Sequence, residues 1–378
     1  MTSTYTCRIA DPFGVPLAEV ANFVDDPDAG GAALDYALNV GNVGALSLTV
    51  PISFDTRLLR LDGRIGVWRS INGRAPTLDG QAIYLIRTWR YTNQSTTVTA
   101  YHATSLLKRR IIAYYAGTSY STKAADSAGN QIKAYAKEQL GSTISSANRI
   151  GAETQADLSS LVRVQANQND GVTVAAQDAW ANLYDLITQL ADASTQAGTY
   201  MTAEIVAASA ETLELRTYAT VRGVDHRASS RQPVILSEDT GSLTNCVLTV
   251  DRSQEVTYAI CAGTGSGTSR ITATSVDATR MGDSPSNRIE VFGDYTNISD
   301  ATVLQDKADA LVRAGRPRTE FTADIVDTES TTRGVQYDVG DLVTARFRNQ
   351  QYDCRVDVIG VRVSGGTQHS TARVRYSA

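Results

Sequence analysis

Gly340-Asp341-Leu342-Val343-Thr344-Ala345-Arg346-Phe347 is a turn carrying Gly and Asp that feeds an alternating strand, and Asp62-Gly63-Arg64-Ile65-Gly66-Val67-Trp68 repeats that plan near the other end of the chain. Each is followed by a longer apolar strand, Ile83 to Tyr91 in the first case and Arg355 to Val363 in the second. Each unit then closes on a similar strand after a polar turn, Gln94-Ser95-Thr96-Thr97-Val98-Thr99-Ala100-Tyr101 and Gln368-His369-Ser370-Thr371-Ala372-Arg373-Val374-Arg375-Tyr376. A repeat whose copies lie so far apart means two similar units with other material between them. Leu46 to Val50 also alternates and is stopped by Pro51. In Ile83 to Tyr91 the apolar phase runs Ile83, Leu85, Trp89, Tyr91, with Arg87 breaking it. Short alternating strands at this spacing predict small antiparallel barrels or sandwiches.

Between the copies the period changes. Lys123 to Leu140 carries Ala125, Ala128, Ile132, Ala136 and Leu140 near a helical repeat, with Gly141 as a stop. A second helix is predicted over Val174 to Ala191, with Ala176, Trp180, Leu183, Ile187 and Leu190 on one face and Thr173 as its cap. Tyr200 to Val206 and Thr212 to Tyr218 read as a hairpin, which makes this region a small α+β unit. Further on, Cys246 to Val250 and Val256 to Ile260 are strands, and Gly263-Thr264-Gly265-Ser266-Gly267 is a loop. One helix follows from Ala301 to Ala314, capped by Asp300 and ended by Gly315 and Pro317. The last strands are Thr319 to Val326, Leu342 to Phe347, Arg355 to Val363 and Thr371 to Tyr376. The expected fold class is α+β, mainly β. The division is a first barrel over 1–110, an α+β domain over 111–231, a second barrel over 232–267 and 316–378, and an insertion with one helix over 268–315.

Composition narrows the function. The 378 residues carry a net charge of −5 and no run of five like charges, which argues against a nucleic-acid grip and a charged tail. No apolar run is long enough to span a membrane, and Met1-Thr2-Ser3-Thr4-Tyr5 is not a signal peptide, so synthesis in the cytoplasm is expected. Cys7, Cys246, Cys261 and Cys354 are scattered singly and read as small core residues in a reducing compartment. With His102, His226 and His369 equally dispersed, no zinc ligand set forms. Catalytic signatures are missing: there is no H-E-x-x-H, and the 263–267 loop is neither a nucleophile elbow nor a phosphate loop. Asp25-Asp26-x-Asp28 before Gly30-Gly31 lacks the distal Glu of a calcium loop and reads as a solvated turn. Asp225-His226-Arg227 is not read as an acid–base cluster, and Lys108-Arg109-Arg110 is too small for an electrostatic footprint. Trp68, Trp89 and Trp180 fall on apolar phases and are expected in the core rather than on a glycan platform. Seventeen Tyr against six Phe suits surfaces partly buried against a partner, and equally suits ordinary strands.

One family accounts for the order of these pieces. Val234-Ile235-Leu236-Ser237-Glu238-Asp239-Thr240-Gly241-Ser242-Leu243 leads into Cys246-Val247-Leu248-Thr249-Val250-Asp251-Arg252-Ser253, then Val256-Thr257-Tyr258-Ala259-Ile260 and a glycine loop. With Gly223-x-Asp225-x-Arg227 upstream and Tyr337-Asp338-Val339-Gly340-Asp341-Leu342-Val343 before the last strands, this resembles the tail hub proteins of tailed bacteriophages. These are the siphophage-type tail components, which include the N-terminal modules of tail-associated lysins. The resemblance implies two related β-barrels per chain and a homotrimeric ring that offers six similar barrels to a sixfold tail tube and a threefold face to the tip. It implies a structural virion protein at the tail tip that closes or gates the DNA channel, with no enzyme activity, catalytic residue, cofactor or metal. The implied partners are the distal tail or tail-tube rings, the tape-measure protein C-terminus and a tip fibre or receptor-binding protein, with genome DNA passing through unread. Because the sequence stops at Tyr376-Ser377-Ala378, any cell-wall hydrolase is expected on another polypeptide. The alternatives are the hub of a contractile injection machine, or a cell-wall glycan-cleaving or glycan-binding tail protein.

Overall fold

Strand alternation decides where the cores lie, and two interruptions of it decide how the strands bend. The structure is a computed structural model that describes residues 3–25, 32–114, 121–141, 143–151, 156–209, 212–326, 328 and 331–376. The protein is mainly β with few helices. Among the described residues fourteen strands register as one sheet. Its path runs Leu243–Asp251, Arg318–Ile325, Thr367–Tyr376, Gln350–Ser364, Leu34–Asn39, Ala45–Pro51, Ser95–His102, Thr77–Tyr91, Arg64–Ile71, Ser3–Ala10 and Pro16–Val20. Leu342–Phe347 lies off this path, antiparallel to Gln350–Ser364, and carries the short strands Asp225–His226 and Ile235–Ser237 in parallel pairing.

The echo in the sequence lies on two three-stranded antiparallel units, Arg64–Ile71 with Thr77–Tyr91 and Ser95–His102, and Leu342–Phe347 with Gln350–Ser364 and Thr367–Tyr376. Both middle strands are fifteen residues long. Both shift register at the same place, between Ile86 and Thr88 and between Val356 and Val358. Such a bulge puts one extra residue in the strand and moves the following side chains to the other face. Arg87 breaks the apolar phase for this reason: Ala82, Tyr84 and Ile86 face the sheet's core before the bulge, and Trp89 packs against that core after it. The two entry turns also match. Asp62 N–H and Gly63 C=O bond Ile86, and Gly340 N–H and Asp341 C=O bond Val356, with positive φ at Asp62 and Gly340. Rows across the strands correspond too: Ile86–Ala100–Leu46–Tyr36 on one side, Val356–Val374–Phe321–Leu248 on the other. One hydrophobic core runs through both sets, from Cys7 and Leu48 to Phe321 and Val374.

The middle region departs from the periodicity reading twice. Lys123 to Leu140 is not helical throughout: Ser121–Ser127 is a strand, and the helix is Ala128–Leu140, capped by Ser127. Val174 to Ala191 is not one helix either. Thr173–Asp178 pairs with Ser121–Ser127, and the helix is Leu183–Gln196, whose cap is Asn182 rather than Thr173. Trp180 sits between them at φ +64°, a left-handed backbone that no helix runs through, and is 52% exposed rather than in the core. In both cases a strand whose apolar residues fell in helical phase found a partner far along the chain, and cross-strand pairing overrode the local period. The hairpin is found as Met201–Ala207 with Leu213–Ala219, and Val162–Val164 adds a parallel strand to it. These elements enclose a second core, to which Ile83 and Leu85 contribute from the outer face of their strand.

Helix Ala301–Ala314 is found as read, with the Asp300 carboxylate accepting from Thr302 N and Val303 N and Gly315 as its C-cap. It packs over a small sheet of Tyr258–Ala262, Thr272–Val276 and Glu290–Asp294 around Cys261 and Leu304. The strand expected at 256–260 therefore pairs inside this small sheet rather than with the large one. The whole unit is inserted between Leu243–Asp251 and Arg318–Ile325, two strands that pair directly.

Candidate functional site

The most constrained place in the molecule is where the two three-stranded units meet. Strand Leu34–Asn39, which extends the first unit through Ala45–Pro51, pairs antiparallel with Val358–Val363 of the second, placing Leu38 beside Ile359 and Tyr36 beside Val361. All four side chains are at most 2% exposed. Beneath this seam Arg333 is fully buried, and its Nη2 donates to Asp79 Oδ2 at 2.6 Å. Tyr36 Oη donates to the same carboxylate oxygen, and Asp338 Oδ1 lies 3.6 Å from Arg333 Nε. Arg69 Nη1 donates to the Arg333 carbonyl at 2.9 Å. Burial, then the Asp79 charge, push the Tyr36 hydroxyl well above its usual range, so it remains a donor. Burial likewise raises the Asp338 carboxyl, against the pull of Arg333. A charge group this deep stays ionised only when paired and hydrogen-bonded.

A second cluster ties the α+β region to the same place. Arg222 pairs with the Glu204 carboxylate, and donates to Val339 O and Gly80 O at 3.0 Å each. One guanidinium thus joins strand Met201–Ala207, the bend at Gly80 and the turn before Leu342. Gly340 is required here: its φ is +90°, and an added Cβ would meet Arg222 Cδ at 2.7 Å. Next to it, His102 is buried, and burial followed by the Arg222 charge push its ring down to about 3. These groups hold three regions in one geometry. Among the described residues, these groups line neither of the clefts of about 340 and 290 Å³.

Asp225 and Arg227 pair with each other at 2.7 Å, and His226 Nε2 is 3.8 Å from Asp341 Oδ2. Of the basic triplet, Arg109 pairs with Asp62, Arg110 donates to Ala156 O, and Lys108 sits over the Tyr184 ring. Trp68 lies under Arg8. All four cysteines are free thiols, three of them buried. The 263–267 loop is held by Arg270, which donates to Gly263 O and Ala262 O. In the Asp25-Asp26-x-Asp28 stretch, residues 26–31 lie outside the described residues. Among the described residues no group of three or more His, Cys, Asp or Glu could hold a metal, and no helix is long and apolar enough to cross a membrane. A cleft of about 340 Å³ lies between helices Leu183–Gln196 and Ala301–Ala314, lined mostly by apolar groups such as Leu186, Leu190 and Leu311. Its Asp306 carboxyl is raised by burial. The Arg333 and Arg222 clusters were not read from the sequence, because nothing local distinguishes them from surface arginines.

Residues 82–374 match the family model described as Siphovirus ReqiPepy6 Gp37-like protein. No curated protein matches. Among solved structures, the 43 kDa tail protein of prophage MuSo2 from Shewanella oneidensis is similar over 98% of this chain and 98% of its own, at 9% identity and a TM-score of 0.54. The tail protein from Neisseria meningitidis MC58 is similar over 98% and 96%, at 9% identity and a TM-score of 0.55. The prophage tail protein gp18 from Listeria monocytogenes EGD-e is similar over 98% and 94%, at 11% identity and a TM-score of 0.50. At such identities the likeness is one of fold. The family match covers most of the sequence, so the chain belongs to the Siphovirus ReqiPepy6 Gp37-like protein family and has the fold of phage tail proteins.

Proposed function

We infer that this chain is a structural virion protein, a homotrimeric hub at the distal end of a phage tail tube that adapts sixfold tube rings to a threefold tip. The observation that carries the reading is the duplication: two units with matching strand order, matching bulges at 87 and 357 and matching entry turns at 62 and 340. Three chains then present six similar units around one axis and three copies of everything else. The two units are read as two small related β-barrels. Residues 1–110 form the first, 111–231 the α+β domain, and the second is drawn from 232–267 and 316–378. The insertion at 268–315 also takes in Tyr258–Ala262, which pairs within it. The role is mechanical: the buried Arg333 and Arg222 clusters hold the domains rigidly against one another, and no residue is assigned to catalysis, metal or cofactor binding. The tube ring, the tape-measure protein C-terminus and a tip fibre are the proposed neighbours, with the channel gated at the ring during DNA passage.

Absolute mass by light scattering over a concentration series, with particle images of the same samples, tests this. A species at three times the 40.5 kDa chain mass, ring-shaped and with a central opening, is expected. Dimers, or monomers in both measurements at every concentration, would overturn it.

A further inference from the structure

The seam inside the chain has an unfilled counterpart on its surface. Leu34–Asn39 of the first unit pairs with the outer part of the second unit's middle strand. The matching rows make Leu243–Asp251 the second unit's equivalent of Leu34–Asn39, since Leu248 faces Phe321 as Tyr36 faces Leu46. The bulges make Trp89 and Tyr91 the first unit's equivalents of Ile359 and Val361. Among the described strands Leu243–Asp251 ends the sheet, paired with Arg318–Ile325, and Thr88–Tyr91 runs beyond the last residue paired with Arg64–Ile71.

Burial separates the two sites sharply. Inside the chain Leu38 and Val361 are 2% and 1% exposed, whereas their equivalents Val250 and Tyr91 are 62% and 57% exposed. Both belong to faces that turn into the core: Trp89 and Leu248, the adjacent members, already pack against it. An apolar edge of this kind is a template for another strand.

We propose that Leu243–Asp251 of one copy of this chain pairs antiparallel with Thr88–Tyr91 of the next, in the register of the internal seam. Trp89 then lies beside Val250 and Tyr91 beside Leu248, with Arg90 opposite Thr249 on the outer face. The contact is head to tail: each chain offers its second unit's edge to the first unit of its neighbour, so internal and intermolecular seams alternate around a ring. This rests on the hub reading for the number of copies, and adds to it which edges meet and in what register.

Cysteine pairs in the full chain test the register. Arg90→Cys with Thr249→Cys is expected to give intermolecular disulfides on mild oxidation, running as dimers and trimers in a denaturing gel. Arg90→Cys with Asp251→Cys, two residues out of register, and each single variant are expected to give none. Val250→Glu, exposed in the lone chain, is expected to leave its circular dichroism and melting unchanged while weakening association by at least about tenfold, because a carboxylate would be desolvated against the face of the Trp89 ring. A threefold mass without disulfide at the 90–249 pair, or with disulfide only at 90–251, overturns the pairing and leaves the hub standing. No oligomer and no intermolecular disulfide overturns both.

Discussion

Acid should loosen the joint between the first unit and the α+β region through one ring, His102. The Ile205 amide donates to Thr104 Oγ1 at 2.9 Å, which leaves the Thr104 hydroxyl proton for His102 Nδ1 at 3.0 Å. The Thr104 backbone N–H also donates to Nδ1 at 3.4 Å, so Nδ1 is an acceptor and the ring proton of the neutral form sits on Nε2. The ring also packs edge-on against Tyr84, with centroids 5.8 Å apart. Protonating Nδ1 sets two donors against each other in a buried site. Burial is the main reason, and Arg222 the second, that the ring falls from 6.5 to about 3 on folding. The sign follows. The unfolded chain takes up this proton first, so the stabilisation is complete above pH 6.5 and is lost as the pH falls toward 3. A shift of this size corresponds to a ceiling of about 5 kcal/mol, of which about 3 kcal/mol is lost between pH 7 and pH 4. His102→Asn keeps an acceptor near Nδ1 but cannot titrate. Urea unfolding at pH 7 and pH 4 should show the parent chain losing about 3 kcal/mol more than the variant. A chain of this size need not unfold in one step, so hydrogen exchange at the Ile205 amide gives the local readout. Equal pH losses in parent and variant, with equal Ile205 protection, would refute the assignment.

Arg333→Met strands the Asp79 carboxylate in the core and should cost about 3–5 kcal/mol, read by chemical denaturation; adding Asp79→Leu should restore much of it, since a buried pair can be exchanged for apolar groups at little net cost. Asp300→Ala removes the acceptor for Thr302 N and Val303 N and should cost about 1 kcal/mol, confined to exchange in the 301–314 helix. Asp306 is raised by burial, so its ionisation opposes folding once the pH exceeds the unfolded value of 3.8. Asp306→Asn should therefore raise the melting temperature at pH 7, with the gain vanishing below about pH 4; a gain independent of pH would refute the cause.

How far the sequence could be read follows from how local each signal is. Helix Ala301–Ala314 was legible to the residue, because an Asp cap, an apolar stripe and a terminal Gly all lie within one short segment. The echo at 62 and 340 was legible because a turn and its strand are contiguous; Arg87 broke the apolar phase in the sequence, and the register shift between Ile86 and Thr88 supplies the reason. The helices over 123–140 and 174–191 were misread in their first halves because the strands Ser121–Ser127 and Thr173–Asp178 take their stability from each other, and neither sequence contains its partner.

By itself, then, the sequence determined a mainly β chain with a widely separated repeat, an α+β middle and a resemblance to phage tail hubs. Each of these is written in periodicity, turns or residue order, which act over a few positions. Only the tertiary structure decided that the two repeats share one core and one seam, and that Arg333 and Arg222 are buried locks. It alone left Val250 and Tyr91 bare where Leu38 and Val361 are covered. The physical reason is that hydrogen-bond partners across a sheet, and the desolvation of a charge, are set by groups far away in the chain, and no window of sequence holds both sides of such a contact.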